Sequence, residues 1–266
     1  MADLKGKVAV VTGASRGVGK GIAEGLAEAG ATIYLTGRTQ SQDDPPAAGS
    51  LQAAARRVDE LGGRGIPVGL DHADDDSVAR LFRRIEAEVG RLDLLVNNAY
   101  QIPDPPVWQG GFWEHPLSLW DDQCGVGLRG YYVSAALGAR LMVEQGHGLI
   151  INISSRGGLN YAFSTSYGVG KAGVERMARD MARELEAHGV AALALAPAGV
   201  RTEFIEQALG TGALALDPGD LQSPRYVGRC VAALAMDPDV MEKTGGRYRV
   251  EELALEYRFS EHEEEA

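Results

Sequence analysis

A tyrosine and a lysine four residues apart, Tyr167 and Lys171, form a pair suited to proton transfer. They lie in TSYGVGKAGVERMARDMARELEAHGV, whose pattern predicts a helix that places both side chains on one face. Free tyrosine has a pKa near ~10 and is a poor acid or base at neutral pH. Because a nearby ammonium group favours the phenolate and lowers that pKa, the pair predicts a tyrosine that can donate and accept protons.

A polar segment, Asn152-Ile153-Ser154-Ser155, ends a predicted strand twelve to fifteen residues before Tyr167. A serine there could reach the same site and hydrogen-bond a substrate carbonyl. The YxxxK pattern alone is weak evidence, because it occurs by chance in many helices. The two serines are what give it weight.

A glycine-rich segment, TGASRGVG at 12–19, lies between the first predicted strand and the first predicted helix. Glycines allow a tight turn there and let a pyrophosphate approach the N–H groups at the helix start. A P-loop does not fit, because the spacing from Gly13 to Gly19-Lys20 is one residue too long and Gly21 replaces the Mg²⁺-binding Ser or Thr. The segment therefore predicts a dinucleotide site.

The residues after the second predicted strand, Thr36-Gly37-Arg38-Thr39, bear on the choice of dinucleotide. An NAD site has an acid ~20 residues after the fingerprint to bind the ribose 2′-OH. No acid occurs here until Asp43, whereas Arg38 and Arg16 suit a 2′-phosphate. We therefore predict that NADP(H) is preferred over NAD(H).

Short apolar runs alternate with longer amphipathic ones along the chain. Strands are predicted at 7–11, 32–36, 66–70, 92–96, 149–153, 190–195 and 247–250, and helices at 17–29, 49–61, 75–89, 117–144, 167–187 and 224–236. Fully apolar strands alternating with helices predict an α/β fold, with a parallel sheet covered on both faces and right-handed crossovers.

Two irregular segments interrupt this pattern. The polar segment TQSQDDPPAAGS at 39–50 predicts a mobile loop, and QIPDPPVWQGGFWEHP at 101–116 holds two of the three tryptophans. The aromatic residues of the second segment could be buried and cap the fold. Alternatively, they could wall an apolar substrate pocket, because the segment follows the carboxyl end of a strand. We favour the pocket.

Composition narrows the functional classes. A net charge of -11 argues against nucleic acid and against an anionic membrane surface. No apolar run approaches the ~18 residues of a membrane span, and the start of the chain lacks a signal-peptide layout. Two distant cysteines and five histidines without ligand spacing predict a reducing cytoplasm and no metal site.

These motifs, taken in order, resemble the classical short-chain dehydrogenase/reductase family. The matching segments are TGASRGVG, Asn97-Asn98-Ala99, ISS, Tyr167-x-x-x-Lys171 and PAGVRT at 197–202, and they span about residues 5 to 250. The resemblance implies a Rossmann-type, doubly wound parallel sheet of about seven strands in a single domain over 1–252, followed by an acidic tail over 253–266. It also implies that Tyr167 donates and accepts the proton and that Lys171 binds the ribose.

In this family a serine polarises the carbonyl, and two serines compete for the role here. Ser154 lies thirteen residues before Tyr167, the commonest spacing in the family. The motif ISSRGG, with its glycine three residues on, aligns Ser155 instead. We favour Ser155.

The resemblance also implies which residues hold the cofactor. Asp71 would contact the adenine, Asn97 the adenine-side ribose region, and Val200 with Thr202 the nicotinamide amide. The segment from 203 to about 216 would be a mobile lid. The full predicted set is Gly13, Ser15, Arg16, Gly17, Val18, Gly19, Arg38, Asp71, Asn97, Ala99, Tyr167, Lys171, Pro197, Val200 and Thr202.

Two departures from the family pattern stand out. NNAG reads Asn97-Asn98-Ala99-Tyr100, and the asparagine of VNLxG, which normally holds a relay water, is Gly127. Loss of the relay could be tolerated, or it could slow or alter the chemistry. NNAY and VGLRG, with FWEHPLSLWDD and YGVGKA, resemble a subgroup, dehydrogenase/reductase SDR family member one and its bacterial relatives.

The predicted function is that of an NADP(H)-dependent oxidoreductase that interconverts a carbonyl and a secondary alcohol and reduces apolar ketones or quinones. The family resemblance implies a homodimer or homotetramer. One alternative is a nucleotide-binding sensor or scaffold with little turnover, which the missing asparagine favours and the intact Ser-Tyr-Lys set disfavours. Another is epimerase or dehydratase chemistry on a nucleotide sugar, which usually requires a larger C-terminal domain.

Overall fold

A computed structural model describes residues 3–40, 49–107, 110–214 and 216–261. The strands are β1 (Val8–Thr12), β2 (Thr32–Gly37), β3 (Arg64–Gly69), β4 (Leu94–Asn97), β5 (Gly148–Ile153), β6 (Val190–Ala196) and β7 (Arg247–Arg249). The helices are α1 (Gly17–Glu28), α2 (Leu51–Glu60), α3 (Asp75–Glu88), α4 (Ser118–Trp120), α5 (Gly130–Gln145), α6 (Thr165–Leu185), α7 (Glu203–Gly210), α8 (Pro224–Met236) and α9 (Val250–Tyr257).

The seven strands form one sheet in the order β3-β2-β1-β4-β5-β6-β7, with helices on both faces. The pairs β1–β2, β2–β3, β4–β5 and β5–β6 are parallel. Strands β1, β4 and β6 are buried along their whole length, as expected for a sheet covered on both faces. The predicted parallel α/β sheet is confirmed.

The chain divides into two compact units. The first consists of Met1–Gly69, Ala196–Pro238 and Tyr248–Ala266. In it, α1 and α8 approach so closely that a Cβ atom on Gly25 would lie 2.3 Å from the carbonyl carbon of Gly228. The glycines of α1 therefore serve helix packing as well as the turn that precedes the helix.

The second unit consists of Leu70–Leu195 and Asp239–Arg247. In this unit the single helix predicted at 117–144 is wrong in its first half. Residues Asp121–Arg129 form a π-helix between α4 and α5, and the N–H of Gly130 bonds to the carbonyl of Gly125, five residues back. The apolar pattern could not reveal this wider turn, because periodicity does not distinguish α- from π-hydrogen bonding over two turns. Such segments often occur at functional sites.

Some predicted segments differ from those of the structure or extend beyond the described residues. The predicted domain boundary at residue 252 falls inside α9, and residues 262–266 of the predicted tail lie outside the described residues, as do 41–48 of the polar loop. Neither α7 nor α9 was predicted. Across the described ranges, no helix combines the length and the apolar character needed to cross a membrane.

Candidate active site

Tyr167 lies in the first turn of α6. Ser164 caps this helix, since its Oγ accepts a hydrogen bond from the N–H of Tyr167 at 3.2 Å. The Tyr167 hydroxyl donates to Ser155 Oγ at 2.9 Å. A Cβ atom on Gly157 would lie 2.5 Å from Cε1 of Tyr167, so the glycine after the serines lets the ring approach. The Ser164 cap and Gly157 together position the Tyr167 hydroxyl beside Ser155 Oγ.

The structure brings Ser155, and not Ser154, to Tyr167. Ser155 follows β5, and its Oγ also accepts a hydrogen bond from the N–H of Gly157 at 3.0 Å. Two accepted hydrogen bonds leave the hydroxyl proton of Ser155 for an acceptor such as a carbonyl oxygen. Ser154 turns away and donates to Glu175 Oε1 at 2.7 Å.

Lys171 lies one turn further along α6 and is only 7% exposed. Its Nζ donates to the carbonyl of Ile153 at 3.0 Å and faces three aromatic rings. Its distances to the ring centroids of Tyr100, Tyr131 and Tyr167 are 5.5, 5.9 and 6.0 Å. Burial lowers the pKa of Lys171 to about 8, and the charge of Glu175 opposes that shift.

Burial also raises the pKa of Tyr167, while its hydrogen bond with Ser155 lowers it. The net direction is upward for the chain's own groups. The predicted lowering depends on a positively charged oxidised nicotinamide as well as on Lys171, so it stays a prediction for the cofactor-bound protein. The sequence shows a lysine one turn away, but it does not show how completely the tyrosine is removed from water. These surroundings keep Tyr167 protonated at neutral pH, which is the state required to give a proton.

Glu175 is a functional candidate that sequence reasoning missed. Its Oε1 accepts hydrogen bonds at 2.7 Å from Ser154 Oγ and from Arg247 Nε. It lies four residues after Lys171 on α6, and its negative charge favours the ammonium of that lysine. The spacing was readable in the sequence as a Lys–Glu pair one turn apart. The contact with Arg247 was not.

The glycine-rich loop lies in the first unit. Gly13 and Gly17 have φ angles of +68° and +56°, which favour glycine. The N–H of Ala14 donates to the carbonyl of Thr36 at 2.9 Å and ties the loop to β2. The N–H of Gly17 donates to Oε2 of Glu203 at 2.9 Å. The loop therefore already presents a backbone donor to an anionic oxygen, as a phosphate would require.

The other predicted cofactor residues of the first unit lie around this loop or near α7. Arg16 is the N-cap residue of α1, with Val18 and Gly19 in its first turn, and Arg38 is exposed directly after β2. Thr202 caps α7, its Oγ1 accepting from the N–H of Ile205 at 3.3 Å. Val200 is buried and bridges to Gln222, and Pro197 follows β6. Their cofactor contacts stay predictions.

Three predicted cofactor residues lie in the second unit, outside the Tyr–Lys pair. Asn97 ends β4 and is fully buried, and its Nδ2 donates to Oδ1 of Asn152 at 2.9 Å. Its side chain thus has a partner on the neighbouring strand. Ala99 follows two residues later, and Oδ1 of Asp71 accepts from the N–H of Ala73 at 2.9 Å. The predicted contacts with adenine and ribose are not tested by this geometry.

The two described aromatic residues of 101–116, Phe112 and Trp113, do not cap the fold by burial. Phe112 and Trp113 are 66% and 75% exposed and pack edge-to-face on one another. Trp108 lies outside the described residues. The pocket wall remains a prediction for this segment.

Comparison with known proteins identifies the family. The family profile described as short chain dehydrogenase matches residues 7–210. The chain belongs to the short-chain dehydrogenase/reductase family. The resemblance carried by its motifs is confirmed, as is the Rossmann-like sheet it implied.

Relatives within the short-chain dehydrogenase/reductase family cover nearly the whole chain. Dehydrogenase/reductase SDR family member 1 of Mus musculus is 43% identical over 92% of this chain and 80% of its own. The 3-oxoacyl-(acyl-carrier-protein) reductase FabG of Vibrio cholerae is 32% identical over 93% and 100%. A short-chain dehydrogenase/reductase structure from Burkholderia xenovorans has a TM-score of 0.81 and 28% identity, covering 94% and 96%. The predicted subgroup is thus confirmed.

Proposed function

We propose that this family member is an NADP(H)-dependent oxidoreductase that interconverts a carbonyl and a secondary alcohol, with apolar ketones or quinones as substrates. The observation that carries the proposal is the 2.9 Å hydrogen bond from Tyr167 to Ser155 beside the buried ammonium of Lys171. Relatives named as 3-oxoacyl reductases support a carbonyl substrate. The predicted homo-oligomer and cytoplasmic location stay predictions.

The side chains of the second unit have distinct roles in this proposal. Ser155 donates its hydroxyl hydrogen to the carbonyl oxygen and orients it. Tyr167 then gives its proton to that oxygen, and Lys171, with a pKa of about 8, remains mostly charged at neutral pH and stabilises the phenolate left behind. The reduced nicotinamide, when bound, supplies the hydride that the carbonyl carbon accepts.

The residues of the first unit fit a dinucleotide phosphate. Backbone N–H groups at the start of α1 would hold the pyrophosphate, because Gly17 already donates to a carboxylate oxygen. Arg38 and Arg16 would bind the 2′-phosphate of NADP(H), since a guanidinium group matches phosphate geometry.

Replacing Arg38 by glutamate should reverse the cofactor preference. We expect Arg38→Glu to weaken NADPH binding by about 10- to 100-fold, because an attractive charge at the 2′-phosphate becomes repulsive, and to change NADH binding little. Fluorescence titration of both cofactors measures the ratio of dissociation constants. Arg83→Glu, the same charge change at an exposed position on α3, is the control. An unchanged ratio would contradict the role of Arg38.

Glu203 should compete with the cofactor for the glycine loop. The carboxylate occupies the N–H of Gly17 and places a negative charge where the pyrophosphate would bind. We therefore expect Glu203→Gln to tighten NADPH binding by about 3- to 10-fold. Glu206→Gln, in the same helix with its side chain exposed, should leave the dissociation constant unchanged. Equal or weaker binding in Glu203→Gln would show that the two anions do not compete.

The test of the function is oxidation of NADPH and NADH against a panel of apolar ketones, diketones and quinones. Turnover of a carbonyl with NADPH would support the function of a carbonyl reductase. Gly127 favours the second candidate, a cofactor-binding sensor or scaffold with little turnover. Tight NADPH binding without turnover of any carbonyl in the panel would put that candidate ahead.

A further inference from the structure

The two positions at which the chain departs from the family motifs, Tyr100 and Gly127, contact one another. A Cβ atom built on Gly127 would lie 2.7 Å from Cδ2 and 3.3 Å from Cε2 of Tyr100. Any side chain at position 127 would therefore displace the ring. Because Gly127 has no side chain, the π-helix leaves room there for the Tyr100 ring.

The Tyr100 ring lies against both members of the Tyr–Lys pair. Lys171 Nζ is 5.5 Å from the Tyr100 centroid, closer than to either other ring around it. The rings of Tyr100 and Tyr167 pack edge-to-face, with centroids 5.9 Å apart and planes at 89°. An ammonium group within about 6 Å of an aromatic centroid is attracted to its face, and more strongly when it is removed from water.

The hydroxyl of Tyr100 connects the ring to the start of α6. Burial raises the pKa of Tyr100, and a hydrogen bond with the side chain of Gln123, in the π-helix, lowers it. Gln123 Oε1 also accepts hydrogen bonds from Ser164 Oγ, at 2.9 Å, and from Ser166 Oγ. Because Ser164 caps α6 at Tyr167, a continuous set of hydrogen bonds joins Tyr100 to the turn that carries the proton donor.

We propose that Tyr100 is a positioning residue for Tyr167 and Lys171, and that Gly127 is required because it leaves space for the Tyr100 ring. The proposal rests on the proposed function, which gives the pair its role. The ring holds the lysine ammonium beside Tyr167, and Gln123 holds the ring. The two departures from the family motifs thus depend on one another.

A double-mutant cycle tests the contact by thermal unfolding, independently of turnover. Gly127→Ala should lower the melting temperature by about 3 °C or more, because the new methyl group displaces the ring. Gly125→Ala in the same π-helix is the matched control, since a Cβ atom there meets nothing within 4 Å. In a Tyr100→Ala background, Gly127→Ala should lower the melting temperature little further.

Equal effects of Gly127→Ala with and without the Tyr100 ring would overturn the contact. So would equal effects of Gly127→Ala and Gly125→Ala in the wild-type background. The second comparison stands even if Tyr100→Ala does not fold.

The positioning role is tested by the pH profile of turnover. Reduction needs a charged Lys171, so the rate should fall as pH rises through the lysine pKa of about 8. Tyr100→Leu removes the aromatic face and should move that fall about 0.5 to 1 pH unit lower. Tyr100→Phe keeps the face and loses only the hydrogen bond with Gln123, so it should move the fall less. If Tyr100→Leu lowered the turnover rate by the same factor at every pH, the role of Tyr100 would be merely structural.

Failure of this inference and failure of the proposed function are distinguishable. If the wild-type protein reduces no carbonyl, the proposed function fails. The unfolding cycle still decides whether Tyr100 and Gly127 interact.

Discussion

Tyr167→Phe should reduce carbonyl turnover by about 10³-fold while leaving NADPH affinity within about twofold of wild type. The substitution removes the hydroxyl that donates to Ser155 at 2.9 Å and leaves nothing in its place to give a proton. The ring itself should stay in place, because its edge-to-face contacts with Phe163 and Tyr100, at 5.1 and 5.9 Å, do not involve the hydroxyl. Steady-state rates and cofactor titration measure the two effects.

Tyr161→Phe is the matched control for this prediction. Tyr161 is 78% exposed and donates its hydroxyl to the carbonyl of Phe163, so its replacement removes the same atom from a neighbouring surface position. Its turnover should stay near wild type. If Tyr167→Phe retained more than about a tenth of the activity, another group would have to supply the proton.

Lys171→Met should abolish most turnover and yet stabilise the fold. The lysine pKa falls from 10.5 to about 8 in the native protein, so its charge opposes folding by roughly 3 kcal/mol at neutral pH. Methionine keeps a long, unbranched side chain, one atom shorter than lysine, without the charge. Losing the hydrogen bond to the carbonyl of Ile153 offsets part of the gain, which leaves a net increase of about 1–2 kcal/mol in unfolding free energy.

The pH dependence of this difference has a definite sign. The pKa of Lys171 is lower in the folded than in the unfolded protein. The cost of burying its charge is therefore fully present below pH 8 and disappears as pH rises from about 8 to 10.5. Urea unfolding of wild type and Lys171→Met at pH 7 and pH 10 should therefore give a smaller difference at the higher pH. Lys20→Met is the control for the loss of a lysine, because the Lys20 side chain on α1 is partly exposed. A difference that grew with pH would contradict the assigned cause.

The sequence was sufficient for the family, the sheet and the Tyr167–Lys171 pair. These depend on local patterns: apolar strands of fixed length, glycines between a strand and a helix, and two residues one helical turn apart. Counting residues could not choose between Ser154 and Ser155, because a strand end turns adjacent side chains in opposite directions. The structure made that choice through the contacts with Tyr167 and Glu175.

What the sequence could not give depends on contacts between distant residues. Tyr100 and Gly127 were each visible as departures, but the 26 positions between them hide their contact. The direction of the Tyr167 pKa was also out of reach, because it depends on how much of the protein surrounds the hydroxyl. Burial is a property of the whole fold, whereas a motif describes one segment.

The hydrogen bond between Gly17 and Glu203 would couple cofactor binding to the start of α7. Glu203 is the first residue of α7, so a pyrophosphate that takes over the N–H of Gly17 also frees the start of that helix. α7 begins the segment predicted to cover the substrate. A bound pyrophosphate would thus exchange the protein's own internal anion for that of the cofactor and release this contact at the start of α7.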